Sequence, residues 1–161
     1  MTKFIVEPGP NNHYHLDHIN LIRESYQRLL GRELIPGDPL AAAKAIYHAP
    51  FVLVSHNTAA DPIFNYGNRT ALELFEMTWA EFTALPSRKS AELPNREERA
   101  RLLAEVTAKG FIDDYCGIRI SKTGKRFELK NVTVWNLHDP DGTPNGIYRG
   151  QAATWRDWQY L

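Results

Sequence analysis

The stretch PIFNYGNRTALELFEMTWAEF, from Pro62 to Phe82, decides the fold. Ile63 and Phe64 suit a brief apolar strand, and Asn68 stands where a helix carrying Ala71, Leu72, Leu74 and Phe75 needs its cap. A short side-chain oxygen at that position accepts from a free N–H of the first helical turn. Thr78 and Glu81 then have the spacing of a reciprocal capping box, and Met77 and Phe82 occupy the positions of a hydrophobic staple. The chain therefore passes from strand to helix to a second, sharply turned helix within one stretch.

Working outward toward the N-terminus, FVLVSHN is β-branched and apolar enough for a buried strand. Before it, RELIPGDPLAAAKAIYHAP breaks at Pro36, Gly37 and Pro39 and then reads as a short alanine-rich helix that stops before Pro50. Between Asn12 and Leu30, the residues Leu16, Ile19, Ile22, Tyr26 and Leu29 recur at steps of three and four, the stripe of an amphipathic helix that Gly31 ends.

Toward the C-terminus, PSRKSAEL predicts a single helical turn. NREERARLLAEVTAKG predicts a longer helix, with Asn95 as cap, Glu98 as its reciprocal partner, Gly110 as terminator and Leu102, Leu103 and Val106 as the buried stripe. Beyond Gly110 the period changes to that of strands: FIDDYCGIRIS, a KTGKR turn, FELKNVTVWNL, a long polar turn HDPDGTPNG, and IYRGQAATW. These form an antiparallel meander, with no internal repeat and no low-complexity segment.

The totals bound the class. A chain of 161 residues has room for one well-formed core, and 43% hydrophobic with 24% charged residues is ordinary for a globular protein. Nineteen basic residues balance nineteen acidic ones, with no long basic run, so direct nucleic-acid binding is not expected. The lone Cys116 leaves no intramolecular disulfide and no cysteine-rich zinc site, which fits a reducing cytoplasm. MTKFIVEPGPNN lacks the apolar core of a secretion signal, and no apolar run is long enough to span a bilayer, so a cytoplasmic protein without a membrane role is expected.

The order of elements is that of a PAS domain. IFNYGNRTALELFEMTWAEF is similar to the common PAS opening, and LHDPDGTPNGIYRG to the turn before the last PAS strand. More specifically, YGNRTALELFEMTWAEFTALPSRKSAE, GIRISKTGKRFEL and TVWNL together resemble the MEKHLA domain, a PAS-related family found at the end of plant homeodomain–leucine zipper regulators and as stand-alone bacterial proteins. The resemblance runs from the N-terminal helix through Trp155. It implies an α+β fold: a five-stranded antiparallel sheet in the order 2-1-5-4-3, with short helices on one face. The expected division is an N-terminal helical extension over residues 1–49 and a PAS-like MEKHLA core over 50–161. Many PAS domains hold a small ligand between helices and sheet, whereas others are empty and serve in dimerisation. The homeodomain and zipper of the plant regulators find no counterpart here, so their DNA binding is not carried over.

Cofactor chemistry finds little support. A LOV-type flavin adduct needs a reactive cysteine where this chain has PSRKSAEL, and haem bound through the long helix needs a histidine that NREERARLLAEVTAKG lacks. Gln151 on the last strand is similar to the flavin-contacting glutamine of LOV photoreceptors, but one polar sheet residue does not make a flavin site. Cys116 on its strand reads either as an inert sheet residue or as a redox-sensitive thiol. HYHLDH gathers His13, His15, Asp17 and His18, with no second ligand cluster to make a metal site of them. Asp113 and Asp114 point to opposite sides of a strand, and no nucleophile elbow, phosphate loop or zinc-protease helix is present, so no enzymatic activity is expected; an unrecognised small-molecule enzyme is the remote alternative.

One pattern does suggest a pocket. Along Phe127, Leu129, Asn131, Thr133, Trp135 and Leu137, strict alternation sets two polar residues among four large apolar ones, and Ile147, Arg149, Gln151, Ala153 and Trp155 mix in the same way. Facing inward, the polar groups need partners that a polar ligand would supply. A bulge that moves the pattern to the other face, or cover by the N-terminal helix or a second subunit, accounts for them equally. The candidate ligand-binding set is Tyr115, Arg119, Asn131, Thr133, Trp135 and Gln151 from the strands, with Ser87, Arg88 and Ser90 from the helical side. Arg119 pointing inward favours a carboxylate or phosphate, which its fork can hold by two oxygens; at the strand end it is a surface residue. The expected function is a sensory, signalling module that binds a small molecule or a protein partner, homodimerisation included, with output passing through another polypeptide. The alternative is a ligand-free interaction module.

Overall fold

The computed structural model describes residues 6–144 and 146–161. The first residues of MTKFIVEPGPNN, and Asn145 of the long polar turn, lie outside the described residues. Strands β1 (Val52–His56), β2 (Phe64–Gly67), β3 (Phe111–Ile120), β4 (Arg126–Asp139) and β5 (Ile147–Trp155) form an antiparallel sheet in the order β2-β1-β5-β4-β3. After a break at Arg156 the chain adds a short β6 (Asp157–Tyr160), which pairs with the first part of β4 through Phe127↔Tyr160 and Leu129↔Trp158.

The inner face is covered by α3 (Arg69–Phe75), α4 (Trp79–Phe82), a 3-10 turn at Ser87–Ser90 and α5 (Leu93–Lys109). The opposite, outer face carries α1 (Leu16–Leu30), with α2 (Pro39–Tyr47) packed beside it. Among the described residues, no helix is long and apolar enough to cross a membrane.

Asn68 explains why the opening stretch folds as it does. Its Oδ1 accepts from Ala71 N–H (3.1 Å), as the cap of α3, and also from Leu53 N–H of β1 (3.1 Å). Its Nδ2 donates to the carbonyls of Ile46 (3.0 Å) and Phe51 (2.8 Å). One fully buried amide thus joins α2, β1 and α3. At α4 the capping box forms as read, Thr78 Oγ1 accepting from Glu81 N–H and Glu81 accepting from Thr78 N–H.

Two helix starts differ from the sequence reading. His13, Tyr14 and His15 all have left-handed φ angles (54°, 53° and 59°), so a 3-10 turn over Pro10–His15 precedes α1, which begins at Leu16. The long helix starts at Leu93, ahead of Asn95. Pro94 lies in its first turn, where a missing N–H costs nothing, and Asn95 N–H already bonds Glu92 O at 2.9 Å. Glu98 is therefore free of capping and receives the Tyr115 hydroxyl instead.

The alternation of β4 reverses part-way. Asn131 is exposed with φ 52°, and Asp114, on the other side of the Tyr115–Val132 pair, has φ 59°; the β3–β4 register shifts on both sides of Tyr115. Before this pair of bulges Phe127 and Leu129 face inward, Phe127 meeting Phe75 edge to face. After it Val132, Val134 and Asn136 take the inner face, while Thr133, Trp135 and Leu137 turn outward. Trp135 Nε1 donates to Ile22 O (3.2 Å), and its ring meets Tyr26 at 4.9 Å.

Candidate functional site

Between α5 and the inner face of the sheet lies a cavity of about 50 Å³. Its walls are mainly apolar, with Val54 of β1, Phe75 of α3, Leu102 of α5 and Val132 and Val134 of β4, and polar groups enter from three sides.

The first group is a rank across the sheet. His56, Gln151 and Asn136 are register partners on β1, β5 and β4, so their side chains stand side by side on the inner face. Gln151 Nε2 donates to Asn136 Oδ1 (3.0 Å) and lies within reach of Leu103 O (3.2 Å) and Thr107 Oγ1 (3.1 Å); Asn136 Nδ2 donates to Val106 O (3.0 Å). The rank thereby fastens the sheet to α5. At its other end, His56 Nδ1 donates to Asn57 O (3.0 Å), and Nε2 lies 3.2 Å from Gln151 Oε1. Burial pushes the His56 pKa down and favours the neutral ring.

The second group is a pair of guanidiniums, Arg99 from α5 and Arg119 from β3, both buried. Arg119 donates to Ile118 O (2.8 Å), and its guanidinium stands 5.8 Å from the centre of the Tyr115 ring. The Tyr115 hydroxyl donates to the Glu98 carboxylate at 2.9 Å and folds over Gly117, where an added Cβ would stand 2.4 Å from it. Gly117 is therefore required for that close approach. Arg99 has no carboxylate partner among the described residues. Burial first, and the neighbouring Arg119 charge second, pull its pKa down to about 9.

The third contribution is single donors. Trp155 Nε1 is buried without an acceptor, and Ser90 lines the wall from the 3-10 turn, its hydroxyl donating to Ser87 O (2.7 Å).

Of the residues singled out in the sequence, Tyr115, Arg119, Gln151 and Ser90 are brought together on this cavity. Ser87 is buried behind the turn, its N–H bonded to Pro62 O, and Arg88 is on the surface paired with Asp61 at 3.1 Å. Asn131 sits on the exposed bulge. Thr133 is on the outer face, donating to Asp113, which Arg32 also reaches, and Trp135 is under α1. Arg99 and His56 are absent from the sequence-derived set, and Trp155 enters the sequence reading only as a member of the mixed β5 pattern. Arg99 precedes Leu102 by three residues and Val106 by seven, which places it on the apolar stripe of α5, and that spacing was the available signal.

Cys116 is exposed on β3 and does not line the cavity, and the volume is far below the roughly 300 Å³ at which drug-sized pockets begin. The site does not fit a covalently held flavin. Among the described residues no His, Cys, Asp or Glu cluster is arranged to hold a metal; His18 of HYHLDH is instead turned to Ser55 Oγ at 2.8 Å.

The profile of the MEKHLA domain matches residues 16–160. The chain belongs to the MEKHLA domain family. The MEKHLA chain is 22% identical over 129 residues to the homeobox-leucine zipper protein ATHB-14 of Arabidopsis thaliana, with 76% of this chain and 15% of that protein covered. It is 23% identical over 126 residues to HOX29 of Oryza sativa subsp. indica, covering 75% of this chain and again 15% of the relative. The MEKHLA chain thus spans only a small part of the plant proteins it matches. Among solved structures it is similar to the light-state dimer of the fungal blue-light photoreceptor Vivid, with TM-score 0.58, 15% identity and coverage of 96% and 98%. A PAS domain from Colwellia psychrerythraea superposes at TM-score 0.56, with 13% identity and coverage of 71% and 92%. The PAS domain of a LuxR-family regulator from Burkholderia thailandensis, solved in complex with ethanol, does so at 0.52, with 21% identity and coverage of 73% and 95%. The MEKHLA chain shares the PAS fold with all three.

Proposed function

We propose that this MEKHLA chain is a sensory PAS-like module that holds a small molecule in the cavity under α5 and passes its occupancy to a partner polypeptide. The observation that carries this reading is the set of polar groups on an otherwise apolar wall whose bonding capacity the protein does not use, Arg99 and Trp155 above all. The ethanol-bound Burkholderia PAS domain, a distant relative in fold, supports a ligand of small size. The output route follows from β1. His56 belongs to the rank that meets α5, while its neighbour Ser55 faces the other way and accepts from His18 of α1, so strain at the cavity reaches the outer helix through one peptide unit. The role is one of binding rather than catalysis, in a reducing cytoplasm that suits the exposed Cys116.

A second reading has its own support. At about 50 Å³ the interior is nearly filled by side chains, as a ligand-free interaction or dimerisation module requires. Native mass spectrometry of freshly purified protein, compared with the denatured mass, separates the two. Extra mass released on denaturation supports the ligand reading. Equal masses, with no small molecule altering the spectrum of the folded protein, support the interaction module, and the native mass then reports its oligomeric state.

A further inference from the structure

Arg99 poses a physical problem that the fold does not solve. It is about nine-tenths buried, the like-charged Arg119 lines the same cavity, and Glu98, the acid adjacent to it in sequence, is engaged by Tyr115. An unpaired buried cation is among the costliest groups a protein can carry, and it persists where something outside the chain neutralises it. A single small anion between the two guanidiniums would turn a repulsive pair into a clamp.

We propose that the occupant of the cavity is a short-chain carboxylate, its oxygens held by the Arg99 and Arg119 guanidiniums and its hydrocarbon tail packed on Leu102, Val132 and Val134. The inference rests on the ligand-binding reading above and gives that ligand a chemical class. Three features select it. A guanidinium presents parallel N–H donors that match the two oxygens of a carboxylate, and Trp155 Nε1, buried without an acceptor on the same wall, is a further donor. The volume holds about four water-sized units, which admits only a few non-hydrogen atoms and excludes nucleotides and long acyl chains. The wall beyond the guanidiniums is apolar, which suits a carboxylate with a short tail and penalises phosphate, whose oxygens point in all directions and each require a donor.

The test compares propionate, its neutral isostere propionamide and inorganic phosphate by thermal unfolding and by amide ¹H–¹⁵N spectra of the full chain. Propionate is expected to shift the amides of Arg99, Arg119, Val132 and Gln151 saturably. At 100 times its Kd it should lower the unfolding constant about 100-fold. In Arg99→Met, which keeps the length of the stem and removes the charge, the free protein should melt higher than the parent and the propionate response should vanish. Arg119→Met provides a second variant should that one misfold, with the same loss of response expected. Propionamide binding as tightly as propionate would overturn the carboxylate assignment and leave the small-molecule reading standing. Preference for phosphate would overturn it in favour of a compact oxyanion. No response to any probe, together with equal native and denatured masses, would overturn both the inference and the reading beneath it.

Discussion

Trp135 donates from its indole Nε1 to the carbonyl of Ile22 across 3.2 Å, and this bond fastens the middle of the sheet to α1. Tyr26 packs edge-on against the same indole, so α1 covers the outer face as a fitted layer. Trp135→Ala is expected to cost about 3–5 kcal/mol in urea unfolding, and Trp135→Phe, which keeps most of the packing and loses the bond, roughly 1–2 kcal/mol. A chain beginning at Leu40 should expose Trp135, Leu53 and Leu137 together and lose its monodispersity in light scattering. Unchanged midpoint and mass for that truncation would show α1 to be accessory.

Asn68 and Thr78 are both helix caps, yet their removal should differ several-fold. Thr78 is an exposed cap, and Thr78→Ala should cost about 1 kcal/mol. Asn68→Asp is the sharper test, because aspartate caps a helix as well as asparagine does. Here it would lack the donors for Ile46 O and Phe51 O and would bury a charge, so a loss of about 3 kcal/mol or more is expected at neutral pH. A midpoint within experimental error of the parent would mean that only the bonds its oxygen accepts, from Ala71 and Leu53, matter.

Those two caps also show why so much of the fold was legible. Caps, turn residues and strand periods are local, and the strand order 2-1-5-4-3 is what the MEKHLA resemblance implies. The faces of β4 were not legible. Strict alternation assigns Thr133 and Trp135 to the face of Phe127, but the left-handed Asn131 spends one residue on a bulge and sends everything after it to the other side. Whether an asparagine in a strand extends or bulges depends on the strand it pairs with, here β3, whose own left-handed residue Asp114 lies well separated in sequence. Arg99 was missed for a different reason: a charged residue on a helix rich in charge reads as solvated, and only its spacing from Leu102 and Val106 argues for burial. β6 escaped because Asp157–Tyr160 is short and pairs with a stretch of β4 that β5 leaves open.

His18 should make stability fall in mildly acidic solution. Ser55 Oγ donates to Asn65 Oδ1 (2.5 Å) and so accepts from the Nε2–H of a neutral His18 (2.8 Å). Burial, with His15 nearby, lowers the His18 pKa from about 6.5 to about 4. A histidine with a depressed folded pKa binds its proton more readily when unfolded, so its contribution is complete above pH ~6.5 and is lost progressively as the pH falls toward ~4. Unfolding free energies across that window should decline by up to about 3 kcal/mol more for the parent than for His18→Gln. Parallel profiles for the two proteins would place the acid sensitivity elsewhere.

Gly150 controls how closely β5 approaches the end of β1, and with it the mouth of the polar rank. Its φ is +121°, and a Cβ there would stand 2.0 Å from His56 O, a backbone atom that moves only with its strand. Both the left-handed torsion and the clash oppose any side chain. Gly150→Ala should therefore cost about 3 kcal/mol or more, and the damage should be directional: β1 is displaced at His56, the contact between His56 and Gln151 is lost, and the grip of Gln151 on α5 loosens. Hydrogen exchange separates this from general destabilisation. The amides of α5 near Leu103 and of β1 near His56 should lose protection ahead of those in the β3–β4 hairpin, whereas a uniform loss across the sheet would mean that Gly150 serves stability alone and does not couple the cavity to its helix.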